Sequence, residues 1–178
     1  MFGRRKPPAK LRPKLDRSER ILAWARTAED PAQIVVVTTL GLWLPGRPRL
    51  GWHEIHKATW SGARLTVVPA VAVGEPVALD RLGTYTVMID DAPVTVHLEE
   101  PGEVPSAVRQ RVTRSVAYTA HHPLPAGGVR VVARRVPGVD GLAWHVRYDE
   151  GTDTADPTVV AATAELVAEA AAPVRTDE

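Results

Sequence analysis

Four of the six histidines in this sequence lie in two short clusters that could bind a metal. His53 and His56 are three residues apart, and His121 is followed directly by His122. On a helix, histidines about one turn apart can converge on zinc. The segment around His53 instead has the composition of a strand or turn, where positions three apart point to opposite faces. We therefore predict no metal site and interpret these histidines as ordinary surface or partly buried residues.

Residues for covalent or acid–base catalysis are present without the spacing that such chemistry requires. The chain has no cysteine, which excludes thiol catalysis, disulfides and cysteine-ligated metals. No serine lies in a G-x-S-x-G elbow, and no phosphate-binding or dinucleotide-binding glycine motif occurs. The carboxylate pairs Asp90-Asp91 and Glu99-Glu100 fall at a predicted turn and a strand end, where charge is well solvated. We predict that the chain is not an enzyme and uses no cofactor.

Basic residues give the best functional signal, because they are concentrated in two regions that contain no acid. Arginines three apart on a helix, or four apart on a strand, share a face and could hold phosphate groups. The alternative is a solvated face that pairs with the acidic segment from Asp149 to Asp156. The candidate residues for an anionic partner are Arg4, Arg5, Lys6, Lys10, Arg12 and Lys14 in the N-terminal arm, and Arg109, Arg111, Arg114, Arg130, Arg134 and Arg135 further along.

The 178 residues suffice for one domain with extensions and a sizeable core, and the net charge is only +1. The two ends nevertheless differ in sign, because the first 14 residues hold no acid and the last 30 are strongly acidic. No apolar run approaches the ~20 residues that span a bilayer, and the basic start lacks the hydrophobic stretch of a secretory signal. We expect a cytoplasmic location. The abundance of Ala, Val, Arg and Pro favours an actinobacterial source.

The elements that position these residues are mostly predicted strands. The β-branched run Ile34–Thr38 is typical of a strand covered on both faces or of the wall of a barrel. Residues 84–89 and 94–98 alternate around an Asp-Asp-Ala-Pro turn and predict a hairpin. A second hairpin is predicted from residues 129–136 and 142–148. We expect most of the five tryptophans to anchor the core, each burying on the order of 200 Å², and one or two to line a partner groove.

Two helices complete the predicted elements. Val104, Val108, Val112 and Val116 recur every four residues and predict an amphipathic helix. The second helix is predicted from about Thr158 to Ala172, with Asp156 as its N-cap and a proline in its first turn.

The order of these segments carries a resemblance to a known family. Residues 38–44, 50–55, 57–60 and 65–67, followed by the valine helix, resemble a bacterial, actinobacterial pleckstrin-homology-like (PH-like) domain of largely uncharacterised function. The resemblance implies a mainly β, α+β fold, a bent-sheet barrel or sandwich capped by one helix. The C-terminal hairpin and helix lie outside it. Members of this fold class bind phosphoinositides, peptides or protein surfaces, so the fold alone does not define the ligand.

From these observations we predict three segments: a disordered basic arm (1–16), a PH-like domain (17–118), and a hairpin–helix extension with an acidic tail (119–178). The predicted function is a non-enzymatic scaffold that binds another protein. The alternative is binding of RNA, DNA or an anionic membrane surface through the basic arm and the arginines.

Overall fold

The structure, a computed structural model, describes residues 6–172 and is mainly β with two helices. Its residues group into two compact units. The first comprises the described residues up to Ala70 together with Asp90–Ser115 and Val136–Gly138. The second comprises Val71–Ile89, Val116–Arg135 and the described residues from Val139 onward. The division into a basic arm (1–16), a PH-like domain (17–118) and a C-terminal extension (119–178) stays a prediction.

A four-stranded antiparallel sheet forms one part of the first unit. Its strands lie in the order β1-β2-β3-β4, so β1 is an edge strand. The bounds are β1 Ile21–Arg26, β2 Ile34–Thr38, β3 Gly41–Trp43 and β4 Leu50–Gly51. Every residue of β2 is buried, which confirms the prediction of a strand covered on both faces.

The remaining strands of the first unit surround the first half of β6 (Arg64–Ala78). β5 (Ile55–Ser61) pairs with it on one side and β8 (Val94–His97) on the other. A short 3-10 helix, Trp52–Glu54, leads into β5. This confirms that the segment containing His53 and His56 is turn and strand.

Helix α1 (Val104–Ser115) packs its predicted valine face against β1, β2 and β5. Val104 and Val108 are fully buried in a cluster with Val35, Leu42 and Ile55, and Val112 packs at its edge. The helix ends at Ser115, and Val116 begins a strand instead of continuing the apolar stripe.

The second unit is a sheet with one helix. The second half of β6 is followed in strand order by β7 (Thr84–Asp90), β11 (Ala143–Tyr148), β10 (Gly128–Arg134) and β9 (Val116–Pro123). The pairing of β10 with β11 confirms the second predicted hairpin. Helix α2 (Pro157–Ala171) begins as predicted, because the Asp156 side chain accepts a hydrogen bond from the Thr158 amide.

The first predicted hairpin is wrong, because β7 does not pair with β8. β8 pairs with the first half of β6, and β7 lies between β6 and β11. The Asp91 amide bonds to the Pro69 carbonyl at 2.8 Å, so the predicted turn is attached to β6. An alternating strand can bury its apolar face beside any neighbouring strand. Because β6 is unexpectedly long, β7 and β8 each pair with a part of it.

Candidate binding groove

A groove of about 1300 Å³ runs along the edge strand β1 in the first unit. Its base is the whole strand, Ile21–Arg26. The N-terminal segment lines it with Lys6, Pro8, Arg12 and Leu15, and the segment before α1 lines it with Glu99, Glu100 and Glu103. The charged side chains among its described lining residues are glutamates, arginines and a lysine.

Backbone bonds fix the acidic side of the groove at the C-terminal end of β1. The Glu99 amide donates to the Arg26 carbonyl at 3.1 Å, and the Ala28 amide donates to the His97 carbonyl at 2.8 Å. These bonds hold the segment after β8 against the end of β1. The three glutamates are exposed there.

A buried carboxylate fixes the other end of β1. The Glu19 side chain is 0% exposed and accepts hydrogen bonds from the Thr38 hydroxyl at 2.6 Å and the Trp43 indole at 2.9 Å. Arg49 donates to the same carboxylate at 2.6 Å and to Asp16 at 2.8 Å. The chain entering β1 is therefore attached to β2, β3 and the loop before β4.

The protonation of this network follows from its contacts. Burial by itself would raise the pKa of Glu19, but the bonds from Thr38 and Trp43, with the charge of Arg49, hold that pKa below its ordinary value. Arg49 also lies over the Trp43 ring, 5.8 Å from its centre, in a cation–π contact. Glu19 is therefore ionised at neutral pH, and its charge is compensated.

The N-terminal candidate residues are divided between described and undescribed parts of the chain. Arg4 and Arg5 lie outside the described residues. Lys6, Lys10, Arg12 and Lys14 are exposed, and two of these, Lys6 and Arg12, line the groove. Ala9–Leu11 form a 3-10 turn, Pro7 is buried, and the Arg12 Nε donates to the Pro7 carbonyl at 2.7 Å.

The helical candidates Arg109, Arg111 and Arg114 belong to the first unit. Arg109 and Arg114 are exposed, whereas Arg111 is half-buried. Burial, and secondarily the charge of Arg114, lowers the pKa of Arg111. The structure therefore brings Arg111 and Arg114 together on α1, as the spacing predicts.

The strand candidates Arg130, Arg134 and Arg135 belong to the second unit and differ in exposure. Arg130 and Arg135 are exposed, and Arg135 donates to the Val116 carbonyl at 3.2 Å. Arg134 is only 7% exposed, and burial, followed by the charge of Arg147, lowers its pKa. Arg134 thus adds nothing to a solvent-exposed basic surface, and one patch uniting the helix and strand arginines stays a prediction.

Three histidines contact carboxylates, which the sequence reading did not anticipate. His56 Nδ1 lies 2.7 Å from Asp90 Oδ1, and His97 contacts Glu29. In the second unit His121 Nε2 lies 2.8 Å from Asp149 Oδ2, across Gly128. A Cβ at Gly128 would stand 2.2 Å from that carboxylate oxygen, so glycine allows the contact. These partners are at least 28 residues apart, and no local spacing reveals them.

The described histidines and carboxylates include no group of three or more that is placed to hold a metal. Two of the five tryptophans are buried, fewer than predicted, and Trp24, Trp43 and Trp60 are half-buried. Trp52 and Trp144 are buried, and Trp24 is half-buried and lines the groove.

No protein-family model, curated protein or solved structure matches this chain. Among the described residues, no helix is long and apolar enough to cross a membrane.

Proposed function

We propose that this chain is a non-enzymatic module that binds another protein in the groove along β1. The groove carries the proposal because it combines an edge strand, apolar lining from Leu22 and Trp24, and charged rims. Its volume exceeds the roughly 300–1,000 Å³ of small-molecule pockets, which favours a polypeptide segment as the ligand. The proposal includes a PH-like identity for the strands and the capping helix α1, and action in the cytoplasm.

Both ends of β1 are hydrogen-bonded to neighbouring segments, which supports a preformed binding surface. The Glu19 network fixes the entry to the strand, and the bond from Glu99 to Arg26 fixes its exit. A site held at both ends loses little conformational entropy on binding. A partner can therefore bind without the groove first having to form.

The test is capture from a lysate of the source cell, followed by competition between variants. A photocrosslinking residue at Leu22 is expected to label a partner that remains bound at 0.3 M salt and after nuclease treatment. The charge reversal Glu100→Lys should reduce labelling at least fivefold, because this exposed glutamate lines the groove. The control reversal Glu165→Lys, at an exposed position of α2, should leave labelling unchanged. Equal losses for both variants would refute the groove as the site.

A second function is favoured by the exposed cations of the N-terminal segment. Lys10 and Lys14 are exposed and lie outside the groove lining, so they are available to phosphates. In this reading the chain binds RNA, DNA or an anionic membrane surface. Loss of the captured partner on nuclease treatment would favour nucleic acid over protein.

A further inference from the structure

We infer that the groove binds an extended peptide strand whose basic residues face Glu99 and Glu100 while its backbone pairs with the edge of β1. This inference rests on the proposed protein-binding function and specifies the partner segment. It combines the strand order, the length of the edge and the charge of the rim.

The edge position of β1 makes strand addition the natural binding mode. In the described part of the chain, β2 is the one strand that pairs along β1, and the segment from His97 to Glu99 bonds only at its C-terminal end, where the Glu99 amide donates to the Arg26 carbonyl and Leu98 bridges Thr27. Residues 21–25, which precede that contact, extend about 16 Å in β conformation, enough to pair with a short peptide. Main-chain hydrogen bonds then supply affinity, and alternate side chains supply specificity.

The charge expected of the partner segment follows from the exposed glutamates that line the groove. Glu99 and Glu100 are exposed, and among the described residues their carboxylates make no hydrogen bond or ion pair. They lie at the Arg26 end of β1, whereas Arg20 precedes the strand at its other end. Two exposed glutamates thus lie at the Arg26 end of β1, and they favour a peptide with lysine or arginine in the half that faces this end.

The probes are labelled eight-residue peptides that alternate valine with threonine or lysine, with both lysines in one half. One peptide has its lysines in the N-terminal half and another in the C-terminal half, because an added strand can pair with β1 in the parallel or the antiparallel direction. A peptide with glutamate in place of lysine tests charge. A peptide with proline in place of two valines tests backbone pairing, because proline lacks the N–H donor.

Fluorescence anisotropy at 0.05 M salt measures the Kd of each peptide for the full chain. At least one lysine peptide should bind, with the glutamate and proline peptides at least tenfold weaker. Glu99→Lys combined with Glu100→Lys should weaken the lysine peptide at least tenfold. The matched control, Glu165→Lys with Glu169→Lys on the exposed face of α2, should change Kd less than twofold.

The same measurements are made with a chain lacking residues 1–5, because Arg4 and Arg5 immediately precede the groove residue Lys6 and carry the charge expected of a competitor. If the peptide binds only the shortened chain, and the Glu99 and Glu100 reversals still abolish this binding, the site is supported. The result would also mean that residues 1–5 compete with the peptide. Equal affinity for the proline peptide, equal loss in the α2 control, or no binding by either chain overturns the inference. If a partner is still crosslinked at Leu22 in that case, the proposed protein-binding function stands while the basic-strand inference fails.

Discussion

Glu19 is the residue on which the shape of the groove most depends. Its inaccessible carboxylate receives side-chain bonds from three different segments of the first unit, through Thr38, Trp43 and Arg49. Hydrogen bonds to a charged group stabilise a fold more than neutral ones, and a buried charge that loses its partner is costly. The network therefore couples the entry of β1 to the rest of its sheet.

Replacing Glu19 by glutamine should lower the free energy of unfolding by about 1–3 kcal/mol. The amide keeps the size of the side chain but removes the charge that compensates Arg49. Urea unfolding followed by tryptophan fluorescence measures the change. Glu165→Gln, at an exposed helical site, is the control and should stay within about 0.5 kcal/mol of the parent. Equal stability of both variants would contradict a structural role for the network.

The same residue predicts a pH dependence. Because folding lowers the pKa of Glu19 from its ordinary value of 4.5, its stabilisation is complete above that pH and is lost as pH falls through the lowered value. The unfolding free energy of the parent chain should therefore fall between pH 5 and 3 more steeply than that of Glu19→Gln. Chemical unfolding at half-unit pH steps measures both slopes. Parallel slopes would show that Glu19 titrates alike in the folded and unfolded chains.

At the scale of elements, α1 stabilises the first unit through its valine face. Val104 is 0% exposed and Val108 is 1% exposed, and both belong to the cluster that includes residues of β1, β2 and β5. The helix contacts all three of these strands. Burial of this face, more than intrinsic helix propensity, holds the helix in place, since valine is an indifferent helix former.

Val108→Ala should therefore destabilise the chain by about 1–3 kcal/mol, because two methyl groups leave a packed site. The matched control is Gln110→Ala, two residues along the same helix and exposed. It should cost less than about 0.5 kcal/mol. Urea unfolding distinguishes the two variants. Because alanine is a better helix former than valine or glutamine, a gain in stability in both variants would mean that helix propensity, not packing, governs α1.

At the scale of the whole molecule, the charge distribution matters more than the net charge of +1. The first 14 residues carry six basic side chains and no acid, whereas residues 149–178 carry eight acids and one arginine. A chain with separated charges can attract anionic polymers despite near neutrality, and such attraction is screened within about 10 Å at 0.1 M salt.

Any binding to single-stranded RNA or duplex DNA should consequently be steeply salt-dependent. If all six N-terminal cations contact phosphates, affinity for duplex DNA falls about a thousandfold between 0.05 and 0.2 M salt. Deleting residues 1–14 should flatten this slope in a filter-binding titration. Arg130→Glu is the suitable additional variant, since Arg130 is exposed and Arg134 is buried. A slope unchanged by deletion would contradict the role of the arm.

Short-range sequence patterns determined the local elements of this protein. The run Ile34–Thr38, the valine face of α1, the hairpin of β10 and β11 and the Asp156 cap all have their cause within a few residues, in β-branching, periodicity and hydrogen bonding. Residues 69–78 and 116–123 form parts of strands that the sequence reading missed. Their prolines and glycines are typical of turns, and only pairing with neighbouring strands outweighs that preference.

Tertiary structure alone decided which strands pair and where the groove lies. β7 and β8 each satisfy their alternating pattern against β6, so local sequence could not exclude the hairpin that does not form. Glu19 becomes a buried anchor, and Glu99 a rim residue, because folding brings together segments more than 20 residues apart. Propensity acts over a few residues, whereas burial and charge pairing act through space, and the groove along β1 depends on the second kind of interaction.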